Sequence, residues 1–125
     1  MINGFESKTY ELTDYEKNVL LPVLLKGLRK RIGVENAMTS KEIEERCNRP
    51  PYNYNLNTVR IRKLINHIRV NHLIPFLMAT SKGYYIENDT IKLKEYIHSL
   101  KQRANSILNV ADSLESQIKN QYYGK

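Results

Sequence analysis

The spacing of apolar residues predicts a first helix over residues 14–32. Residues 13–16 place a glutamate three positions after a threonine, which is the capping-box pattern of a helix start. Pro22 is expected to kink this helix or to tighten one turn, and Gly33 is expected to end it. The apolar side chains recur three and four positions apart; they are Val19, Leu20, Val23, Leu24 and Leu28.

Two further helices are expected, with a loop between them. Residues 39–42 form a second capping box, so helix 2 is expected over residues 40–47, with Cys47 as a small core residue rather than a nucleophile. Prolines and asparagines favour a loop over residues 48–55. Helix 3 is expected over residues 57–71, because four apolar residues form one stripe along it. These are Ile61, Leu64, Ile65 and Ile68.

The region from residue 74 to residue 86 predicts a β-hairpin. A short apolar run is followed by a turn at residues 80–83 and by the β-favouring run Tyr84-Tyr85-Ile86. Gly83 can supply the positive φ that a tight turn requires. At least one of Tyr84 and Tyr85 is expected to face the core, because successive residues of a strand point to opposite sides.

A long helix is expected over residues 90–120, because its apolar residues alternate four and three positions apart for almost four heptads. The seam consists of Leu93, Ile97, Leu100, Ala104, Ile107, Ala111, Leu114 and Ile118. The helix either packs back across helix 1 or pairs with its twin in a homodimer. We expect the homodimer, because the seam is longer than a domain of this size can cover. Leu108 and Val110 broaden the stripe, so more than one surface is expected to pack against it.

Charge is distributed unevenly along the 125 residues, which carry a formal net charge of +7. Residues 46–86 contain no Asp or Glu, and the rest of the chain has equal numbers of acids and bases. The bases of this block are Arg46, Arg49, Arg60, Arg62, Lys63, Arg69 and Lys82. A stretch of sequence with basic residues and no acidic ones is typical of a surface that binds a polyanion, although it can also form a solvated face.

A helical projection of helix 3 places basic and amide side chains opposite the apolar stripe. Arg62, Lys63 and Asn66 lie there or on the flanks, and Arg pairs well with guanine and Asn with adenine. We therefore expect the helix to bind double-stranded DNA. The expected DNA-binding residues are Asn57, Thr58, Val59, Arg60, Arg62, Lys63, Asn66, His67 and Lys82.

The order of these elements predicts a mainly α protein with a small β-hairpin, in which a winged helix-turn-helix domain is followed by a long C-terminal helix. An N-terminal arm over residues 1–12 and a domain over residues 13–89 are expected. The long helix at residues 90–120 is the expected dimerisation element, and a tail follows at residues 121–125.

The stretch from Val59 to Pro75, with the run Ala79-Thr80-Ser81-Lys82-Gly83-Tyr84-Tyr85-Ile86, resembles small winged helix-turn-helix proteins of bacteriophages and prophages. In those proteins, arginines of the third helix precede an Ile-Pro strand start, and a Gly-Tyr-Tyr follows the wing turn. The segment 96–104 also looks like their C-terminal helix. The resemblance covers about residues 35–108 and implies DNA binding in phage-type transcription regulation or replication.

Other chemistries have weaker support in the sequence. His67 and His72 lie on different sides of a helix, and no metal-ligand motif, phosphate loop or local acid–base pair is present, so we expect no enzyme activity, metal, cofactor or small-molecule ligand. Tyrosines of the basic block can stack on unpaired bases, but more often fill a core edge. The alternative function is a protein-interaction adaptor that uses the long helix as its contact.

The expected compartment is the bacterial or host-cell cytoplasm, in association with the nucleoid. Residues 1–8 lack the basic and apolar regions of a secretory signal, and no apolar run is long enough to cross a membrane. A single cysteine, Cys47, fits a reducing compartment.

Overall fold

The computed structural model describes residues 11–122, which belong to two units: one extends to Asn88 and the other begins at Asp89. Most of the predicted N-terminal arm lies outside the described residues. Leu12 does not belong to an arm, because it packs against the hydrophobic core of the first unit.

The first helical segment combines a π-helical turn, Glu16–Leu20, with the α-helix α1, Leu21–Leu28. Pro22 lies in the first turn of α1, where the lack of an N–H group destabilises a helix least. The π-helical turn before it changes the hydrogen-bonding pattern at this point of the segment. The prediction that this helix continues to residue 32 is wrong. The backbone at residues 31–33 pairs with Ile86 instead: Ile86 N–H donates to Arg31 O, and Gly33 N–H donates to Ile86 O.

Helix α2, Ser40–Asn48, and helix α3, Thr58–Val70, correspond to the predicted helices 2 and 3, with ends displaced by about one residue. Thr39 caps α2 in the predicted capping box, and the side chain of Asn57 accepts a hydrogen bond from Arg60 N–H at the start of α3. The two helices pack against each other. Their relative position is therefore fixed by local caps and a shared core.

The predicted hairpin is confirmed as strands β1, Leu77–Thr80, and β2, Gly83–Ile86, which pair antiparallel. The predicted first strand begins too early, because Ile74 and its neighbours precede β1. The other edge of β2 bridges to Met38, whose backbone exchanges two hydrogen bonds with Tyr84. Gly83 has φ of 117°, and a Cβ there would meet the Met38 backbone at 2.7 Å, so this approach requires glycine.

One hydrophobic core joins the helices and the hairpin of the first unit. The predicted stripe of α3 is confirmed, since all four of its apolar residues are buried. Cys47 packs against this core as predicted, and burial raises the pKa of its thiol. The fully buried large side chains are Leu20, Leu28, Ile43, Ile61, Leu64 and Ile68.

The second unit contains the long helix α4, Thr90–Tyr122. Asp89 starts it, because its Oδ1 accepts hydrogen bonds from Ile91 and Lys92 N–H at 2.9 and 3.4 Å. The helix was expected to end at about residue 120, and the structure extends it to Tyr122. Apolar side chains of the seam are exposed, Ile107 by 70%. Within residues 11–122, no helix has both the length and the apolar character needed to cross a membrane.

Candidate nucleic-acid interface

Helix α3 separates the candidate residues into two flanks on either side of its exposed ridge. Val59, at the start of the ridge, is 74% exposed, and Asn66, about two turns further on, is also exposed. Arg62 lies on the flank that faces the hairpin. Arg60 and Lys63 lie on the flank that faces the first helical segment, where a buried carboxylate meets them.

That carboxylate belongs to Glu16, which is only 4% exposed. Its Oε2 accepts a hydrogen bond from Arg60 Nε at 3.0 Å, and its Oε1 accepts one from Lys63 Nζ at 2.9 Å. The N–H of Thr13 also donates to Oε1, at 2.9 Å, which completes the predicted capping box. Glu16 is thus both the cap of the first helical segment and its ionic contact with α3.

The ionisation of Glu16 is strongly favoured in this environment. Burial by itself raises the pKa of this carboxyl group, but the hydrogen bonds from Thr13, Lys63 and Arg60 outweigh it and bring the pKa down to about 2. The basic block contains no acid of its own, but folding brings one to it from outside. Arg60 and Lys63 are therefore held in intramolecular ion pairs, and neither is an unpaired cation on the outer face.

Aromatic and backbone contacts hold Arg60 further in place. Its guanidinium lies 5.5 Å from the ring centre of Tyr15, and Nη1 donates to Asn55 O at 3.3 Å. The hydroxyl of Tyr15 donates to Tyr54 O at 2.9 Å. These contacts tie the start of α3 to the loop before it and to the first helical segment.

The loop between α2 and α3 is closed by the side chain of one asparagine. The amide of Asn48 donates to Leu56 O and accepts from Leu56 N–H, both at 2.8 Å, which closes the loop. Within the loop, the rings of Tyr52 and Tyr54 stack on each other with centres 5.9 Å apart. Tyr52 is exposed, whereas Tyr84 and the residue after it in β2 are both buried. The basic block contains four tyrosines, and two of them, Tyr84 and Tyr85, are therefore buried.

An open groove lies between α3 and the hairpin, with a volume of about 460 Å³. Arg62, Lys63 and Asn66 line it from α3, so Lys63 borders the groove while its Nζ is bonded to Glu16. Ala79 and Tyr84 line it from the hairpin. Arg69 lines it too, which the predicted site omits. Its position one heptad after Arg62 on the same flank is the sequence signal that could have identified it.

The remaining predicted residues occupy more peripheral positions. Asn57 is engaged as the N-cap of α3, and Thr58 begins the helix. His67 is half-buried, and its carbonyl and Nδ1 both contact the amide of Asn71 at the helix end. Lys82 is exposed at the hairpin turn, where its N–H donates to Thr80 Oγ1.

The groove presents cations, an amide and apolar surface, which suits binding of an anion and of base edges. In the part of the chain that the structure describes, no three His, Cys, Asp or Glu side chains lie close enough to hold a metal ion. The buried carboxylate of Glu16 lies beside α3 and is held ionised by Arg60 and Lys63.

Comparison with known proteins finds no match for this chain among protein-family models, curated proteins or solved structures.

Proposed function

We propose that the first unit is a winged helix-turn-helix domain that binds double-stranded DNA in a sequence-specific way. The order of α1, the Met38 bridge, α2, α3 and the hairpin is that of the winged arrangement. The observation that carries the proposal is the groove-side flank of α3, where Arg62 and Asn66 face outward beside the hairpin.

In this proposal α3 enters the major groove, which is wide enough for one helix. Arg62 pairs with guanine or with a phosphate, Asn66 pairs with adenine, and Val59 contacts a thymine methyl group. Lys82, at the tip of the hairpin, binds the backbone or the minor groove. Arg60 and Lys63 keep α3 at its angle to the first helical segment, because both are bonded to Glu16.

The second part of the proposal is a homodimer held by α4. Its seam of apolar residues is exposed, and a long exposed apolar stripe is a site of association. Two DNA-binding units in one molecule raise affinity, because the second contact becomes intramolecular.

Selection of bound sequences from a pool of random DNA duplexes tests this function. We expect enrichment of one motif by the wild-type protein and loss of that enrichment in Arg62→Ala combined with Asn66→Ala. Lys26→Ala, a charge change at an exposed position of α1, is the matched control and is expected to enrich the same motif. If the sequences recovered by the wild-type protein share no common motif, sequence-specific binding would be contradicted.

The exposed seam of α4 also favours a second candidate, a protein-interaction adaptor. An adaptor would bind its partner through α4 and would not need the cations of α3. Retention on a DNA column at rising salt distinguishes the two, since a DNA-binding protein is retained and an adaptor elutes with proteins of similar charge.

A further inference from the structure

We propose that α4 pairs with α4 of a second copy in an antiparallel arrangement, with Ile97 of one chain opposite Leu114 of the other. This inference rests on the proposed homodimer and adds its direction and register. It follows from the order of large and small side chains along the seam and from the charges beside it.

The seam divides into two sets of heptad positions. Four residues occupy position a: Ile97, Ala104, Ala111 and Ile118. Four occupy position d: Leu93, Leu100, Ile107 and Leu114. Both alanines thus fall at position a and lie between large residues at position d.

A parallel pair suits this order poorly. Each residue of the seam would face its own copy, so Ala104 would face Ala104, and the neighbouring Ile107 would face Ile107. Layers that contain two alanines would then alternate with layers that contain two large side chains. A helix separation small enough for the alanine layers to be in contact would crowd the large side chains. Isoleucine at position d also disfavours a parallel two-stranded coil.

An antiparallel pair centred between residues 105 and 106 removes this conflict. Ala104 then faces Ile107 of the other chain, and Ala111 faces Leu100. The four central layers each combine one alanine with one large residue, so the helices can approach evenly. At both ends, Ile97 faces Leu114, and the outermost layer is also formed by two large residues.

Only this antiparallel register uses the whole seam. A shift by one heptad in either direction leaves two layers at each end without an apolar partner. Because those outer layers are the large ones, a shifted pair would leave Leu93 and Ile97 exposed, or else Leu114 and Ile118. Burial of apolar surface therefore favours the centred register.

Charges beside the seam favour the same direction. Lys94 and Glu115 both occupy position e, directly after Leu93 and Leu114. Positions e face each other only when the helices are antiparallel, and the centred register brings Lys94 of each chain beside Glu115 of the other. In a parallel pair, Glu115 would meet Val110 and would have no ion partner, and Lys94 would meet Asp89, whose carboxylate already accepts hydrogen bonds at the start of α4.

The antiparallel arrangement has a consequence for DNA binding. With a rise of about 1.5 Å per residue, the two copies of Thr90 lie about 46 Å apart along the helix axis. In a parallel pair they would be neighbours. The first units are therefore attached at opposite ends of the paired helices, which fits two separated DNA sites rather than two adjoining half-sites.

Disulfide cross-linking tests the register. In a Cys47→Ala background, Ile97→Cys and Leu114→Cys variants are oxidised in a glutathione buffer, each alone and as an equimolar mixture. We expect a cross-linked dimer mainly in the mixture. Efficient cross-linking of either variant alone would show a parallel pair and overturn the proposal. Cross-linking of Leu114→Cys with Ala104→Cys, but not with Ile97→Cys, would show a shifted register and would also overturn it.

Charge exchange tests the ionic contact without cysteines. Lys94→Glu is expected to weaken dimerisation several-fold, and Lys94→Glu combined with Glu115→Lys to restore it. The matched control, Lys92→Glu, makes the same charge change away from the seam and should have little effect. Weakening that the double variant does not relieve would contradict the antiparallel contact.

The outcome is independent of the proposed DNA binding. If no sample cross-links, α4 does not pair in this way, while binding of a short duplex by the first unit stays measurable by fluorescence anisotropy. If the mixture cross-links but duplex binding is absent, the register stands and the proposed function fails.

Discussion

Arg60 donates its Nε–H to Oε2 of Glu16 across 3.0 Å, although 44 positions separate the two residues in the chain. The carboxylate is buried, whereas the side chain of Arg60 is 26% exposed. Because Lys63 shares the same carboxylate, two successive turns of α3 are anchored to the first helical segment. This contact sets which flank of α3 is engaged within the protein and which is presented outward.

Glu16→Gln is expected to destabilise the protein by about 2–3 kcal/mol at neutral pH, because it removes the charge that Arg60 and Lys63 share. The loss stays below that of a fully buried pair, since both cations retain contact with water. Urea unfolding measures it. Asp14→Asn, an exposed acid in the same segment, is the control and should change stability by less than about 0.5 kcal/mol. Equal effects of the two substitutions would contradict a special role for Glu16.

The ion pairs of Glu16 also predict how stability depends on pH. The pKa of Glu16 is about 2 in the folded protein, against an ordinary value of 4.5. Its contribution is therefore fully present above about pH 4.5 and is lost as the pH falls towards 2, and the difference corresponds to about 3 kcal/mol. The stability gap between the wild type and Glu16→Gln should close over this range. A gap that is constant from pH 7 to pH 2.5 would contradict the assigned ionisation.

The proposed roles of Asn66 and Lys82 predict different changes in specificity. Asn66→Ala removes a side chain that can read a base edge, so preference at one position should fall by roughly 1–3 kcal/mol. Lys82→Ala removes a proposed contact with the DNA backbone and should weaken binding to all DNA sequences alike. Competition assays with single-base variants of the selected site measure both effects. A changed sequence preference in Lys82→Ala alone would reverse these roles.

Replacing Ile107 and Leu114 by Asp is expected to abolish the proposed dimer, because carboxylates would enter an apolar seam. Affinity for a site with two binding positions should fall, while affinity for a single position should be unchanged. Sedimentation equilibrium checks the assembly. A wild-type mass near the monomer value of 14.7 kDa at micromolar concentration would rule out the dimer.

Local patterns in the sequence predict the elements of the fold well, because each depends on neighbouring residues. The Thr39 capping box, the buried stripe of α3 with Ile61 at its start, and the turn at Gly83 all depend on such short-range rules. The end of the first helix was mispredicted, because pairing of Arg31 with Ile86 depends on a strand more than fifty residues later.

The candidate site is less predictable for the same reason. A helical projection places Lys63 and Arg62 on an exposed arc, but it contains no information about Glu16, which reaches α3 only through the tertiary fold. The capping-box pattern identified Glu16 as a local cap, a role it does have. Its burial and its second role depend on the packing of the first helical segment against α3.

DNA binding by α3 is tested by the affinity of the wild-type protein and of Arg62→Ala for one selected DNA duplex at several salt concentrations. Each phosphate neutralised by a cation contributes a slope of about −0.9 to the plot of log K against log salt. We expect a steep negative slope for the wild type, a shallower slope for Arg62→Ala and a wild-type slope for Lys26→Ala. A wild-type slope near zero would contradict DNA binding by this surface.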